Sequence, residues 1–177
     1  MIHEFWEGRL IGAMDGLCHG PEAAVTARLC ASILAEYAGE PLDEMVARCN
    51  GRLRGTRGVA LSICTLYEKA SAWSWIGVGD VSAVLLREGR SLRREREFLL
   101  TRGGVAGDFM PKPAVSTVSA APGHVIILAT DGARPDYSHG LDLMGTPRQI
   151  AERILDRHAT GTEDSLALVV RYAGGLP

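Results

Sequence analysis

Three aspartates occupy one kind of place in this 177-residue chain. Asp15 and Asp131 each follow an apolar stretch that reads as a strand, and each precedes glycine; Asp164 precedes another apolar stretch. A carboxylate at a strand end projects from the rigid edge of a sheet. The adjacent glycine removes a side chain where the backbone must turn and lets a main-chain carbonyl approach an ion. If the three strands are neighbours, three like charges meet and repel unless a cation neutralises them. Ligation by carboxylate, carbonyl and water suits divalent ions such as Mg²⁺ or Mn²⁺. Taken singly, Asp-Gly is a common turn dipeptide. The metal reading rests on three acids recurring at strand ends.

The elements that must position these acids follow from periodicity. Residues 9–14 read as a strand that stops at Asp15-Gly16. Gly20-Pro21 opens a helix, since proline suits a first turn whose N–H has no partner. Ala23, Ala27, Cys30, Leu34 and Tyr37 form one helical stripe, and Gly39 is a stop. Pro41 opens a second helix with Leu42, Met45, Val46, Cys49 and Leu53 on one face. Alternation over 59–67 predicts a strand, with Glu68-Lys69 a hairpin turn. Residues 71–78 and 81–87 read as two more strands around Gly79-Asp80, a dipeptide suited to a tight turn or bulge. Val125 to Thr130 is a strand buried on both faces. Thr146-Pro147 caps a third amphipathic helix bearing Ile150, Ala151, Ile154, Leu155 and His158, and residues 165–172 form a last strand. Strands grouped apart from helices predict an α+β fold with hairpin-rich sheets.

Composition excludes other classes. Hydrophobic residues are 46% and charged residues 23%, an ordinary globular mix, and the length predicts a single domain over 1–177. A net charge of −2 lacks the basic surplus of a nucleic-acid binder. No apolar run approaches the ~20 residues of a membrane span, and the N-terminus has no secretory pattern. Cys18, Cys30, Cys49 and Cys64 contain no C-x-x-C pair, which argues against a zinc site or disulfide framework. The expectation is a cytoplasmic protein with reduced thiols that binds neither nucleic acid nor membrane. Five arginines (90, 93, 94, 96 and 102) within 88–102 read first as the solvated face of a hairpin, and alternatively as a phosphopeptide-facing patch. Trp73 and Trp75 share a strand face and read as core.

The motifs also occur in a family order. Asp15-Gly-Leu-Cys-His-Gly-Pro-Glu-Ala-Ala24, Arg57-Gly58, Val78-Gly-Asp-Val81, Ala129-Thr-Asp-Gly132 and Glu163-Asp-Ser-Leu166 resemble metal-dependent serine/threonine phosphatases of the type 2C superfamily. Within it the chain is most similar to the compact bacterial SpoIIE/RsbX-like branch, and Arg48-Cys49-Asn50 looks particularly like the stressosome phosphatase RsbX. The resemblance implies a four-layer α/β/β/α sandwich of two mainly antiparallel sheets flanked by helices. It implies Mn²⁺ or Mg²⁺ as cofactor, one to two ions. Asp15 would bridge them, Gly16 would offer its carbonyl, and Asp131 and Asp164 would complete one site. Asp80 lies where some members hold a weaker third ion, and reads first as a turn aspartate. Phosphorylated STAS-domain proteins of a stressosome are the implied substrates. One departure stands out. Members carry a further acidic ligand on a strand upstream of the first Asp-Gly, whereas only fourteen residues precede Asp15 here, and Glu4 and Glu7 sit too close to be confident substitutes.

The chemistry these groups permit is direct hydrolysis by a metal-activated water attacking phosphorus in line. The leaving alkoxide needs a proton, which His19 could deliver; His19 reads equally as a residue packing at the helix start. His3, His124, His139 and His158 read as structural or surface residues. Arg57 reads as a loop arginine, or as one that positions substrate. Loops 101–113 and 133–145 would supply recognition. The rival from another class is a catalytically weak or inactive phosphatase-like docking domain that binds the same regulators. A third reading, an anion-binding regulator, rests on the arginines of 87–102.

Overall fold

The computed structural model describes residues 1–18, 20–87, 95–110, 112–161 and 163–174. Among them the chain forms β1 (Ile2–Phe5), β2 (Gly8–Gly16), α1 (Pro21–Glu36), α2 (Leu42–Arg52), β3 (Val59–Tyr67), β4 (Ala72–Val78), β5 (Ser82–Arg87), β6 (Glu95–Phe98), β7 (Ser116–Ser119), β8 (Val125–Ala129), α3 (Pro147–His158) and β9 (Ala167–Arg171). One sheet has the order β1-β2-β3-β4-β7 and the other β6-β5-β8-β9, with every pairing antiparallel.

Three apolar clusters make four layers. Leu10, Leu61, Ile63 and Ile76 of the first sheet pack against Cys30, Ile33 and Leu34 of α1 and Met45 and Cys49 of α2. Ile11, Cys64, Trp73 and Trp75 meet Ala83, Leu85, Ile126 and Leu128 of the second sheet. Val84, Ile127 and Val169 face Ile150 and Ile154 of α3. Adjacent residues of β3 and of β8 thus enter different clusters, because successive strand side chains point to opposite faces. This is the α/β/β/α sandwich the motifs implied, and Trp73 and Trp75 lie in its middle.

Local signals account for the helices. Pro21 stands in the first turn of α1, where a missing N–H costs nothing. Thr146 caps α3 by accepting from the Gln149 N–H, and the Gln149 side chain accepts from the Thr146 N–H, a complete capping box. Two short segments cross between the sheets. Residues 79–81 link β4 to β5, and residues 120–124 link β7 to β8. The turn at Gly79-Asp80 therefore does not pair the strands on either side of it.

Candidate metal centre

Antiparallel register decides which strand ends meet. Asp15 pairs with Ala60 and Leu61 with Val78, so the end of β2, the start of β3 and the end of β4 lie together. In the other sheet Ala129 pairs with both Ser82 and Ala167, so the end of β8 adjoins the starts of β5 and β9. Asp15, Asp80, Asp131 and Asp164 each stand at one of these ends, and all four line one cleft of about 140 Å³. Glu163 joins them, with Gly16, Leu17 and Cys18 completing the wall. No Lys or Arg lines it among the described residues.

The first expectation corrected is local. The strand does not stop before Asp15; β2 runs through Gly16. Nor do the two Asp-Gly glycines adopt the left-handed backbone of a turn. Each is small because something packs on it. A Cβ on Gly16 would lie 2.2 Å from the Ala23 carbonyl oxygen of α1, and one on Gly132 would lie 2.6 Å from the Asp164 carbonyl oxygen. Gly16 thus lets α1 close over the strand end, and Gly132 lets the two acid-bearing loops of the second sheet touch. Those loops are also bonded to each other. Thr130 Oγ1 donates to the Asp164 carbonyl at 3.2 Å and accepts from the Leu166 N–H at 2.9 Å, and Ser165 Oγ donates to the Gly132 carbonyl at 2.8 Å.

Crowded charge shows in Asp15. Its pKa is pushed up to about 6, first by burial and then by the charges of Asp131, Asp80, Asp164 and Glu163. Five carboxylates with no basic residue in their described lining form an all-oxygen donor set that fits a hard divalent cation. No group of three or more His, Cys, Asp or Glu among the described residues is arranged to hold an ion as it stands.

The remaining candidate residues divide. His19 lies outside the described residues, as do Arg90, Arg93 and Arg94. Arg96 and Arg102 are exposed, as a solvated face requires. Glu4 and Glu7 line a different cleft with Trp6, Arg9, Glu68 and Lys69. Glu4 pairs with Arg9, and six residue steps along β2 separate Arg9 from Asp15, about 20 Å. Neither acid can complete the carboxylate rim. Glu163 was not anticipated, although its place beside Asp164 at the mouth of a strand was a usable signal. His158 accompanies Asp136, with 3.2 Å between Nδ1 and Oδ1, and His124 Nδ1 accepts from the Ala121 N–H at 3.3 Å.

A sandwich of two antiparallel sheets with helices outside is also the fold of solved bacterial serine/threonine phosphatases. The family model for stage II sporulation protein E (SpoIIE) matches residues 9–173, and the chain belongs to that family. It is 24% identical over 157 residues to phosphoserine phosphatase RsbX of Bacillus subtilis (strain 168), covering 88% of this chain and 76% of that one. Two solved structures share the fold. The crystal structure of RsbX in complex with magnesium superimposes with a TM-score of 0.79 at 22% identity, over 95% of this chain and 82% of that one. A chain from the bacterial stressosome, a modular system adapted to control secondary messenger signalling, does so with a TM-score of 0.85 at 20% identity, over 97% of this chain and 88% of that one. The family expectation drawn from the ordered motifs is therefore met.

Proposed function

We propose that this chain is a metal-dependent serine/threonine protein phosphatase, a single domain working in a bacterial cytoplasm. Its proposed substrates are phosphorylated STAS-domain proteins of a stressosome. The observation that carries the reading is the convergence of Asp15, Asp131 and Asp164 at one rim, in a cleft whose described lining holds five acids. Likeness to a phosphoserine phosphatase supports the activity, and likeness to a stressosome chain supports the partner class. No described helix is long and apolar enough to cross a membrane.

Asp15, with Asp131, Asp164 and the Gly16 carbonyl, would hold Mn²⁺ or Mg²⁺, and Asp80 and Glu163 stand close enough to their charge to bind or tune a further ion. A divalent cation there supplies an activated water at neutral pH and screens charge on the phosphoryl oxygens. The residues around it do the positioning. Thr130 and Ser165 fix the loops bearing Asp131 and Asp164 through their main-chain bonds. Burial of β2 against α1 and the second sheet holds Asp15. His19 is the proposed donor of the proton that the leaving alkoxide requires.

Release of p-nitrophenol from p-nitrophenyl phosphate with added Mn²⁺ tests this. Turnover that Asp131→Asn abolishes supports the enzyme. The second reading, a docking domain without turnover, is favoured by the absence of a ready-made three-ligand group among the described residues. No hydrolysis with any divalent ion, alongside intact partner binding, would establish that reading instead.

A further inference from the structure

Beside the carboxylate cleft lies a second depression, larger and of different character. Its volume is about 560 Å³, and Glu22, Val25, Thr56 and Arg57 are among the residues lining it. The cleft itself, at about 140 Å³, admits solvent and an ion but not a length of polypeptide. A substrate protein must therefore rest against surface outside it, and the groove is adjacent. The β2–β3 ladder continues one step beyond the strands, where the Leu17 N–H donates to the Gly58 carbonyl at 3.1 Å. That bond brings Arg57 beside Cys18, a residue of the cleft wall, and the guanidinium interacts with the Cys18 side chain. A cation thus stands at the edge of a cleft whose lining is acidic.

Arg57 is held by Glu22 in a particular way. Its Nε and Nη2 both approach the same oxygen, Glu22 Oε2, at 2.6 Å and 2.5 Å. This is not the two-oxygen fork that makes arginine–carboxylate pairs strong. The side chains are 47% and 73% exposed, so the pair adds little to folding and opens at small cost. Val25, 56% exposed, offers apolar surface on the groove's helical wall.

We infer that Arg57 is a specificity-determining residue that exchanges Glu22 for an oxyanion of the phosphorylated protein lying in this groove. The inference rests on the phosphatase reading for the identity of that oxyanion, which is either the phosphoryl group or a carboxylate flanking it. Glu22 acts as an internal competitor, occupying the arginine until substrate arrives. Such a latch differs from a structural ion pair, because removing its two halves has opposite effects.

The test compares wild type with Glu22→Gln, Arg57→Ala and the double variant by kcat/KM in Mn²⁺. The substrates are p-nitrophenyl phosphate, a phosphoserine peptide with acidic flanks and its alanine-flanked counterpart. The expected result is about a tenfold loss for Arg57→Ala and about a threefold gain for Glu22→Gln. The gain disappears when Arg57 is already alanine, which separates exchange at Arg57 from a general change in local charge. A loss on all three substrates assigns the oxyanion to the phosphoryl group; one confined to the acidic peptide assigns it to the flank. Equal effects of Glu22→Gln in both backgrounds, or losses in both single variants, overturn the inference. If wild type turns over nothing, the phosphatase reading fails. The same four proteins are then compared by anisotropy of a labelled phosphoserine peptide, where the same signs in Kd decide the matter.

Discussion

The two ends of the β2–β3 ladder both carry acids and treat them in opposite ways. At the hairpin end Arg9 is bridged to Glu4 at 3.2 Å and also to Glu68, while Lys69 lies 5.6 Å from the centre of the Trp6 ring. Glu4 and Glu68 there share the cation of Arg9. At the other end Asp15 meets four further carboxylates, and its pKa rises to about 6 instead of falling. The lesson concerns purpose. Acids paired with cations serve the fold, at a median worth of about 0–1 kcal/mol per exposed pair. Acids massed without cations weaken the fold, and their retention makes sense only if something else supplies the positive charge.

This contrast can be broken most directly by removing one acid from each end. Asp131→Asn is expected to lower Mn²⁺-dependent hydrolysis of p-nitrophenyl phosphate by more than the about 10–100-fold that loss of an outer-shell partner costs. Glu4→Gln should leave the rate within about twofold, as expected of an exposed pair far from the chemistry. Similar losses in the two variants would show that the ends are not distinct. Next in size is the response to metal. Mn²⁺ at about 100 times its Kd stabilises a folded protein by about 2.7 kcal/mol, or roughly 5–10 °C in Tm for this size. Thermal unfolding should show that shift in wild type and lose it in Asp15→Asn.

Acidity gives a third, smaller handle. Asp15 titrates at about 6 when folded and at 3.8 when unfolded. Between these values the unfolded chain binds fewer protons, so this group's contribution to stability falls as pH rises from about 4 to above 6. In metal-free protein the difference in stability between Asp15→Asn and wild type should therefore widen across that window, measured by urea unfolding. A difference independent of pH would show that the acids do not feel one another. The smallest effect is one of sign. Without metal, Glu163→Gln should raise the unfolding free energy slightly and Glu4→Gln should lower it slightly, each by less than about 1 kcal/mol, as read by urea unfolding.

Much of this was legible in the residue pattern, and the exceptions have physical reasons. The alternation of β3, the continuous apolar run of β8 and the Thr146-Pro147 start of α3 are local signals, and the structure contains each element. β1 and β7 were not anticipated. Each is four residues long with no fully buried position, so neither leaves a hydrophobic pattern to read. The crossing at residues 79–81 was illegible for another reason, since sheet membership depends on partners far away in sequence. Asp15, Asp131 and Asp164 could be picked out because Asp-Gly and Asp-Ser at strand ends are visible locally. Their meeting at one rim required the registers of both sheets. The glycines were recognised but for the wrong cause: close packing by Ala23 and by Asp164, not backbone turning, requires them.

The two short crossings between the sheets bear on how the rim endures its own charge. Residues 79–81 stitch the leaves together at the acidic end, and residues 120–124 do so at the hairpin end. Fastened at both margins, the leaves resist sliding past each other, and such sliding is the motion by which crowded anions on separate sheets would find relief. The scaffold thereby stores electrostatic tension as fixed geometry. An arriving cation would release that tension by neutralising the rim.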